Sequence, residues 1–399
     1  MMARMIAPRR RARLAGVRRN ARMDGSVSVA VNAIRSRRFE NIDWVLLLTV
    51  LAIGIFGILM LASAAGGGQR SLRLAEDQLA AALFGFLLMT AVAALDDNIL
   101  PRISRWLYWG TVLMLLAVDV IGTGSHGAQR WLALGPVRFQ PSEPAKVALI
   151  ITLAVLYLRH YDEIHEFRTV LRSLLHLALP MALIFKQPDL GTMLVLCAVW
   201  LGVSLAAGVR WKHILLLGLT GLALFVLAWQ TGLLRDYQKQ RILSLFTPEA
   251  DPQGSGYHIR QSRIAIGSGQ LLGKGYMQGT QSQLNFIPEQ HTDFIFTVVG
   301  EELGFAGSAA LVGLYWILVA RIVATMHATE ERLGRMLAGG VAAMFLFHIF
   351  VNIGMTMGIM PVTGVPLPLV SYGRSNLLSS LAAIGLVLGV YARRHRITF

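Results

Sequence analysis

The chain has 399 residues, of which 55% are hydrophobic and 15% charged, with a mean hydropathy of +0.56. Soluble domains average roughly 45–50% apolar and about 25% charged, so a soluble globular protein is excluded, and the apolar excess excludes a disordered one. The formal net charge of +15 raises nucleic acid as a partner until that charge is located.

Much of it lies at the start. Met1–Arg38 holds eleven arginines against one acid, Asp24, a net +10, while the rest of the chain carries +5. Residues 1–42 read as a basic cytoplasmic arm, too long before the first apolar run for a cleaved signal peptide. Such an arm would rest on anionic membrane lipid, with no nucleic acid required. About 20 mostly apolar residues cross a bilayer core of about 30 Å. The first three windows of that kind are Trp44–Ala65, Gln78–Leu95 and Trp106–Ile121.

Gln129-Arg130-Trp131 then sets a cation beside an aromatic side chain at the expected outer interface. Phe139–Lys146 opens a fourth, shorter span, from about Ser142 to Leu158. There Ser142 suits an N-cap and Pro144 a first turn, while Glu143 and Lys146, three apart, share one helix face. That pair reads either as a structural ion pair or as part of a site. His160 and His165, among Asp162, Glu163 and Glu166, match no metal-binding spacing. A fifth, interrupted span runs from Leu171 to Phe185, and Asp189 is placed to cap the sixth, Leu190–Ala207. The chain's single cysteine, Cys197, lies in that sixth run and rules out a disulfide framework.

A seventh span, Ile214–Gln230, precedes a polar stretch of about 60 residues, Thr231–Thr292. Connections that long are uncommon and usually functional. Arg235, Lys239, Arg241, Arg260, Arg263 and Lys274 give it cations that an anionic ligand would explain. The glycines at 273, 275 and 279 form neither a dinucleotide fingerprint nor a P-loop. The stretch ends at His291-Thr-Asp293, where an eighth span, Phe294–Val323, begins. Asp293 reads either as an acid favoured by the helix dipole or as a general base at the water–lipid boundary. Glu301 and Glu302, inside the apolar run, read either as functional candidates that face protein or a water-filled cavity, or as part of first helical turns that protrude from the bilayer. The ninth and tenth spans are Met336–Gly358 and Ser371–Tyr391. Between them Pro361–Gly373, with three prolines, predicts a re-entrant or surface loop at the outer mouth.

Ten spans bring both ends of the chain to one side, and the short loops agree. Arg102, Arg105, Arg159, Arg168, Arg172, Arg210, Lys212, Arg332, Arg335 and the Arg393-Arg394-His-Arg396 tail all fall on the side of the basic arm. The expected fold is an all-α polytopic membrane protein in which residues 43–399 form one ten-helix domain. A large extracytoplasmic loop, 231–292, joins its seventh and eighth helices.

The ordered series Arg130-Trp131, Gln140-Pro-Ser-Glu143, Gln187-Pro-Asp-Leu-Gly-Thr192, Gly279-Thr-Gln-Ser-Gln283, His291-Thr-Asp-Phe-Ile-Phe296, Glu301-Glu-Leu-Gly304 and Pro361-Val-Thr-Gly-Val-Pro-Leu-Pro368 resembles the SEDS family (shape, elongation, division, sporulation). The wording of the last motif and the compact tail look more like the RodA branch than the FtsW branch. The resemblance implies a glycosyltransferase of the bacterial inner membrane that joins lipid II into glycan strands on the outer face. It also implies a class B penicillin-binding protein as partner. By the same resemblance Asp293 is the catalytic base, undecaprenyl diphosphate the leaving group, and a divalent cation such as Mg or Mn an expected cofactor. Arg130, Lys146, Arg241 and Lys274 become candidates to hold diphosphate, with Glu143 orienting Lys146. Asp189, Gln281 and His291, within the matching motifs, and Ser371, just beyond the last of them, become further substrate contacts. Two positions depart from the family pattern: Arg374 stands where a glycine is usual, and Pro144 where an apolar residue is usual. The competing functions are a flippase or transporter of the lipid-linked precursor, and a non-catalytic scaffold for a penicillin-binding protein.

Overall fold

The computed structural model describes residues 42–232 and 255–394, apart from 67, 126–127, 136, 285 and 288, together with positions 239, 243 and 245. The basic arm, Arg235 and Arg241 lie outside the described residues. Ten helices of 18 residues or more are present among them, as the hydropathy windows require. They are α1 (Trp44–Ala64), α2 (Gly68–Ala94), α3 (Leu100–Ile121), α4 (Ser142–Arg159), α5 (Phe167–Lys186), α6 (Leu190–Ala207), α7 (Trp211–Gln230), α10 (Ile295–Ala328), α11 (Arg332–Met357) and α12 (Arg374–Arg393). All but α4 are long and apolar enough to cross a membrane. Helix α4 spends Glu143, Lys146 and Arg159 within 18 residues, and it is buried along nearly its whole length. It is the central helix of the bundle, walled by protein rather than lipid.

Helices α2 and α3 start 10 and 6 residues earlier than their apolar windows. The added turns hold Arg70, Arg73, Glu76, Asp77, Arg102 and Arg105, most of them good helix formers and all too polar for a hydropathy window. Between α3 and α4 the chain forms a three-stranded antiparallel sheet, β1 (Thr123–Ser125), β2 (Ala128–Leu134) and β3 (Val137–Phe139), with Thr123 opposite Trp131 and Leu132 opposite Phe139. One apolar core runs through the bundle from Leu46 of α1 to Val390 of α12. Helix α7 stands apart: none of its residues is buried.

The long polar stretch has helical structure among its described residues. It contains α8 (Ser255–Ser268) and the single turn α9 (Thr280–Gln283). Ser262 of α8 lies against α10 and α11, hydrogen-bonded to Thr297 Oγ1 at 2.5 Å and donating to Thr356 O at 2.7 Å. Arg263 donates to Met357 O at 3.2 Å and Gly358 O at 2.7 Å, satisfying carbonyls at the end of α11. That cation needs no ligand to account for it, contrary to the reading of the sequence.

The eighth apolar run is not one helix. At about 1.5 Å per residue, 34 residues would reach about 51 Å, well beyond the hydrocarbon core. The run breaks at Gly304, which takes φ 65° and ψ −159°. Residues 269–275 enter the break, where Lys274 N and Gly275 N donate to Glu301 O and Glu302 O at 3.1 and 3.0 Å. Phe305 N and Ala306 N donate in turn to Gln270 O and Leu271 O at 2.9 and 3.0 Å. The backbone groups freed by the break are thus paired inside protein, the condition for irregular backbone at membrane depth. A Cβ at Gly304 would sit 2.3 Å from Gly273 N, in a conformation that side chains rarely adopt. Gly304→Ala is therefore expected to destabilise the purified protein by about 2–4 kcal/mol, read as a lower apparent melting temperature. Gly313→Ala, on the same helix with nothing near its Cβ position, is the control and should cost nothing.

Candidate active site

Asp293 lies on a tight turn rather than in a helix. The N–H groups of Thr292, Asp293 and Phe294 donate to Glu289 O at 3.2, 3.1 and 3.4 Å, and α10 begins only at Ile295. Its carboxylate is half-buried and caps no helix. Two anchors fix the turn. Phe294 packs with Ala265, Ile287 and Val362. Asn352, fully buried on α11, donates to Asp293 O at 2.9 Å and to Val365 O at 2.8 Å, tying the turn to the 361–373 segment. In that segment Gly364, at φ +72°, leaves the approach to the acid open, since a Cβ there would lie 3.4 Å from Asp293 Oδ2. His291 O accepts from Tyr372 N at 2.9 Å, and the two rings lie 6.0 Å apart.

One turn from Asn352 on α11, His348 meets a buried charged pair of α4. Glu143 and Lys146 form an ion pair of 2.8 Å, with side chains only 4% and 3% exposed. Asn376 of α12 donates to Glu143 Oε2 at 3.0 Å. His348 places Nε2 3.1 Å from Lys146 Nζ and Nδ1 2.7 Å from Met344 O. A carbonyl only accepts, so Nδ1 carries the proton and Nε2 accepts from the ammonium. His348 and Asn352 are four apart on α11 and so share a face, separated by about 6 Å of rise. The face that presents the Lys146 cluster thus also holds the Asp293 turn. Ser142 is not the N-cap the sequence suggests. It is the first residue of α4, and Pro141 occupies the cap without a side-chain bond.

The 361–373 segment is tucked into the bundle, with Val365, Leu367, Leu369, Val370 and Ser371 buried. Ser371 Oγ accepts from Leu367 N at 2.8 Å and Ser371 O accepts from Gln78 Nε2 at 3.1 Å, so this serine serves the loop's own fold. Asp189 caps α6 as expected, accepting from Thr192 N at 3.2 Å and Thr192 Oγ1 at 2.8 Å. Arg130, on β2, donates to Gln187 O at 3.2 Å and to Pro188 O, and lies 3.9 Å from Asp189. Both residues brace the turn before α6, whose Gly191 approaches Thr363 O.

Lys274 and Gln281 stand with the two buried glutamates. Glu301 accepts from Lys274 Nζ at 2.8 Å, Gln281 N at 2.8 Å and Ser282 N at 3.0 Å. Glu302 accepts from Ser63 Oγ at 2.6 Å and Met277 N at 3.1 Å. Of the two readings of these acids, the structure supports the protein-lined one, and they pin the 273–283 loop to α1 and α10. Gln290 links this loop to the Asp293 turn, donating to Ala64 O at 2.7 Å and Ser282 O at 2.8 Å.

Among the described residues no group of three or more His, Cys, Asp and Glu side chains could hold a metal ion. Arg374, the first residue of α12, lies 3.6 Å from Asp77 of α2, and both are exposed. Such a surface pair is worth about 0–1 kcal/mol. Arg374→Gly should therefore leave the melting temperature unchanged while raising KM for an anionic substrate about two- to fivefold. Steady-state kinetics would check this, and an unchanged KM would make the arginine neutral.

Residues 43–396 match the model of the FTSW_RODA_SPOVE family, described as cell cycle protein. The chain is 40% identical over 354 residues to the peptidoglycan glycosyltransferase MrdB of Escherichia coli (strain K12), covering 89% of this chain and 94% of that protein. It is 32% identical over 437 residues to the peptidoglycan glycosyltransferase RodA of Treponema pallidum (strain Nichols), covering 90% and 100%. A solved chain from work described as structural coordination of polymerization and crosslinking by a peptidoglycan synthase complex superposes with a TM-score of 0.74 at 35% identity, over 89% of this chain and 99% of the other. The crystal structure of the rod shape determining protein RodA of Thermus thermophilus gives a TM-score of 0.66 at 34% identity, over 89% and 98%.

Proposed function

The chain belongs to the FtsW/RodA/SpoVE family and is a multi-pass peptidoglycan glycosyltransferase, and from that premise we propose that it polymerises lipid II with Asp293 as general base. The observation that carries this reading is the single face of α11. Through Asn352 it holds the Asp293 turn, and through His348 it contacts the buried Lys146. The Asp293 carboxylate takes the proton of the acceptor sugar's 4-hydroxyl. The hydroxyl oxygen attacks the anomeric carbon of the donor, and the bond from that carbon to the diphosphate oxygen breaks with its electron pair. Undecaprenyl diphosphate leaves already anionic, so one carboxylate suffices where glycosidases commonly use two. Water then removes the proton from Asp293.

Asn352 Oδ1 and Asn376 Oδ1 are buried with no donor among the described residues. Such acceptors, one on the residue that holds the Asp293 turn and one on the residue that holds Glu143, suit a ligand rich in hydroxyl groups. Lys146 is the buried cation of this face, and Glu143 keeps it neutralised until an anion arrives. Arg130 and Lys274 are committed to Pro188 and Glu301, which leaves them as supports of the site's walls. A divalent cation, Mg or Mn, enters only as a companion of the diphosphate, and no step here depends on it. The charge bias of the loops supports cytoplasmic termini in the bacterial inner membrane, with Asp293 at the outer face. The solved relative acts within a synthase complex that couples polymerization to crosslinking, and a class B penicillin-binding protein is the partner that fits it. Purified full-length chain supplied with lipid II and Mg or Mn should yield glycan polymer. Lipid II left unpolymerised, with the partner also present, would overturn the reading.

A further inference from the structure

A cavity opens at the other end of the bundle, away from Asp293. It is a cleft of about 210 Å³ between α3, α4 and α5. Arg105, Arg159 and His160 stand at its mouth, and no carboxylate lines it. Arg159 is held in place by donating to Pro101 O at 2.9 Å. Arg105 is exposed, and no ion pair or side-chain hydrogen bond among the described residues engages it. Deeper in the cleft His176 Nε2 meets Thr152 Oγ1 at 3.0 Å, and the His176 ring stacks on Tyr108 at 4.1 Å. Thr152 and Arg159 are seven residues apart on one helix, so the cleft descends about 10 Å from cations to an aromatic and aliphatic wall. Beside it on α3, Trp106 and Trp109 are 78% and 51% exposed, as side chains at a membrane–water boundary are.

We propose that this cleft binds an anionic glycerophospholipid, with its phosphodiester on Arg105 and Arg159 and the start of its chains along the Tyr108 wall. Charged heads belong where the cations are, at the boundary, and apolar chains where the wall is, one to two turns inward. Basic pockets between spans on the cytoplasmic side are the known setting for such headgroups. A free phosphate would use the mouth alone and leave the wall without a role. The site lies at the membrane surface opposite the polymerising residues and does not depend on their assignment.

The experiment takes the full-length protein, stripped of lipid, and titrates it with phosphatidylglycerol or phosphatidylcholine while native mass spectrometry counts bound lipid. Wild type should retain one phosphatidylglycerol in preference to phosphatidylcholine. Arg105→Gln should weaken that retention about fivefold. Arg102→Gln removes an equal exposed charge that does not line the cleft, and it should change retention less than twofold. Leu156 also lines the cleft, so Leu156→Trp fills it with both arginines in place and should also abolish the preference. Equal losses in Arg102→Gln and Arg105→Gln would reduce the effect to diffuse surface charge and overturn the proposal. Displacement of the lipid by millimolar inorganic phosphate would overturn it in favour of a simple anion site.

Discussion

Replacing Asp293 by Asn should reduce glycan polymerisation by at least about 100-fold, the lower range of what a positioned general base supplies. Asn keeps the shape of Asp and all the backbone bonds of the turn, namely Asp293 N to Glu289 O and Asn352 Nδ2 to Asp293 O. Stability should therefore stay within about 1 kcal/mol of wild type, so the lost rate cannot be charged to unfolding. Asp293→Glu carries the carboxylate one methylene further toward the space left by Gly364. It should restore part of the rate, because a base outside hydrogen-bond reach of its proton is inefficient rather than inert. The pH profile gives a separate check: the limb set by the carboxylate in wild type should vanish in Asp293→Asn. Normal polymerisation by Asp293→Asn would remove the residue from the chemistry.

What the sequence could show depended on whether the physics was local. Nine spans were legible because transfer into hydrocarbon is decided by the composition of each 20-residue window, with no tertiary information, whereas α4 is too charged for that test and is covered by protein. Asp189 was legible as a cap because capping reaches only three residues. The break at Gly304 was hidden, since one glycine in an apolar run carries no signal; the loop that requires it comes from residues 269–275. For the same reason the loop cations were read as ligand-seeking. The partners of Arg263 and Lys274 lie 94 and 27 residues further along the chain, beyond any local pattern.

His348 and Asn352 went unselected for a different reason, because a usable signal existed. A polar or ionisable side chain within a span is a functional candidate by default. That argument singles out Glu301 and Glu302, which the structure turns into loop anchors, and it applies equally to two polar residues four apart on α11. Helical spacing ranks the pair above the glutamates, since i and i+4 share a face while adjacent residues do not. A stripe of polar groups along a buried helix is a stronger mark of a site than a single charge.

The Glu143–Lys146 pair supplies the other large effect. Lys146→Met leaves the Glu143 carboxylate almost fully buried with Asn376 as its remaining hydrogen-bond donor. Removing one partner of a buried ion pair costs about 3–5 kcal/mol, because the surviving charge is left in a low-dielectric surround. Lys146→Met should therefore fold poorly, and Glu143→Gln should do likewise by stranding the ammonium with only His348. The double variant Glu143→Gln/Lys146→Met removes both charges, while the Gln amide oxygen can still accept from Asn376. It should recover stability to within about 1–2 kcal/mol of wild type, since exchanging a buried pair for neutral side chains of similar volume is often nearly neutral. Polymerisation should not recover with it, because the cation that meets the diphosphate is gone. Melting temperature and polymer yield, measured on all three variants, separate the two roles. A double variant that regained both would make the pair a strut of α4 and return the search for the diphosphate's cation to Arg374 and the outer rim.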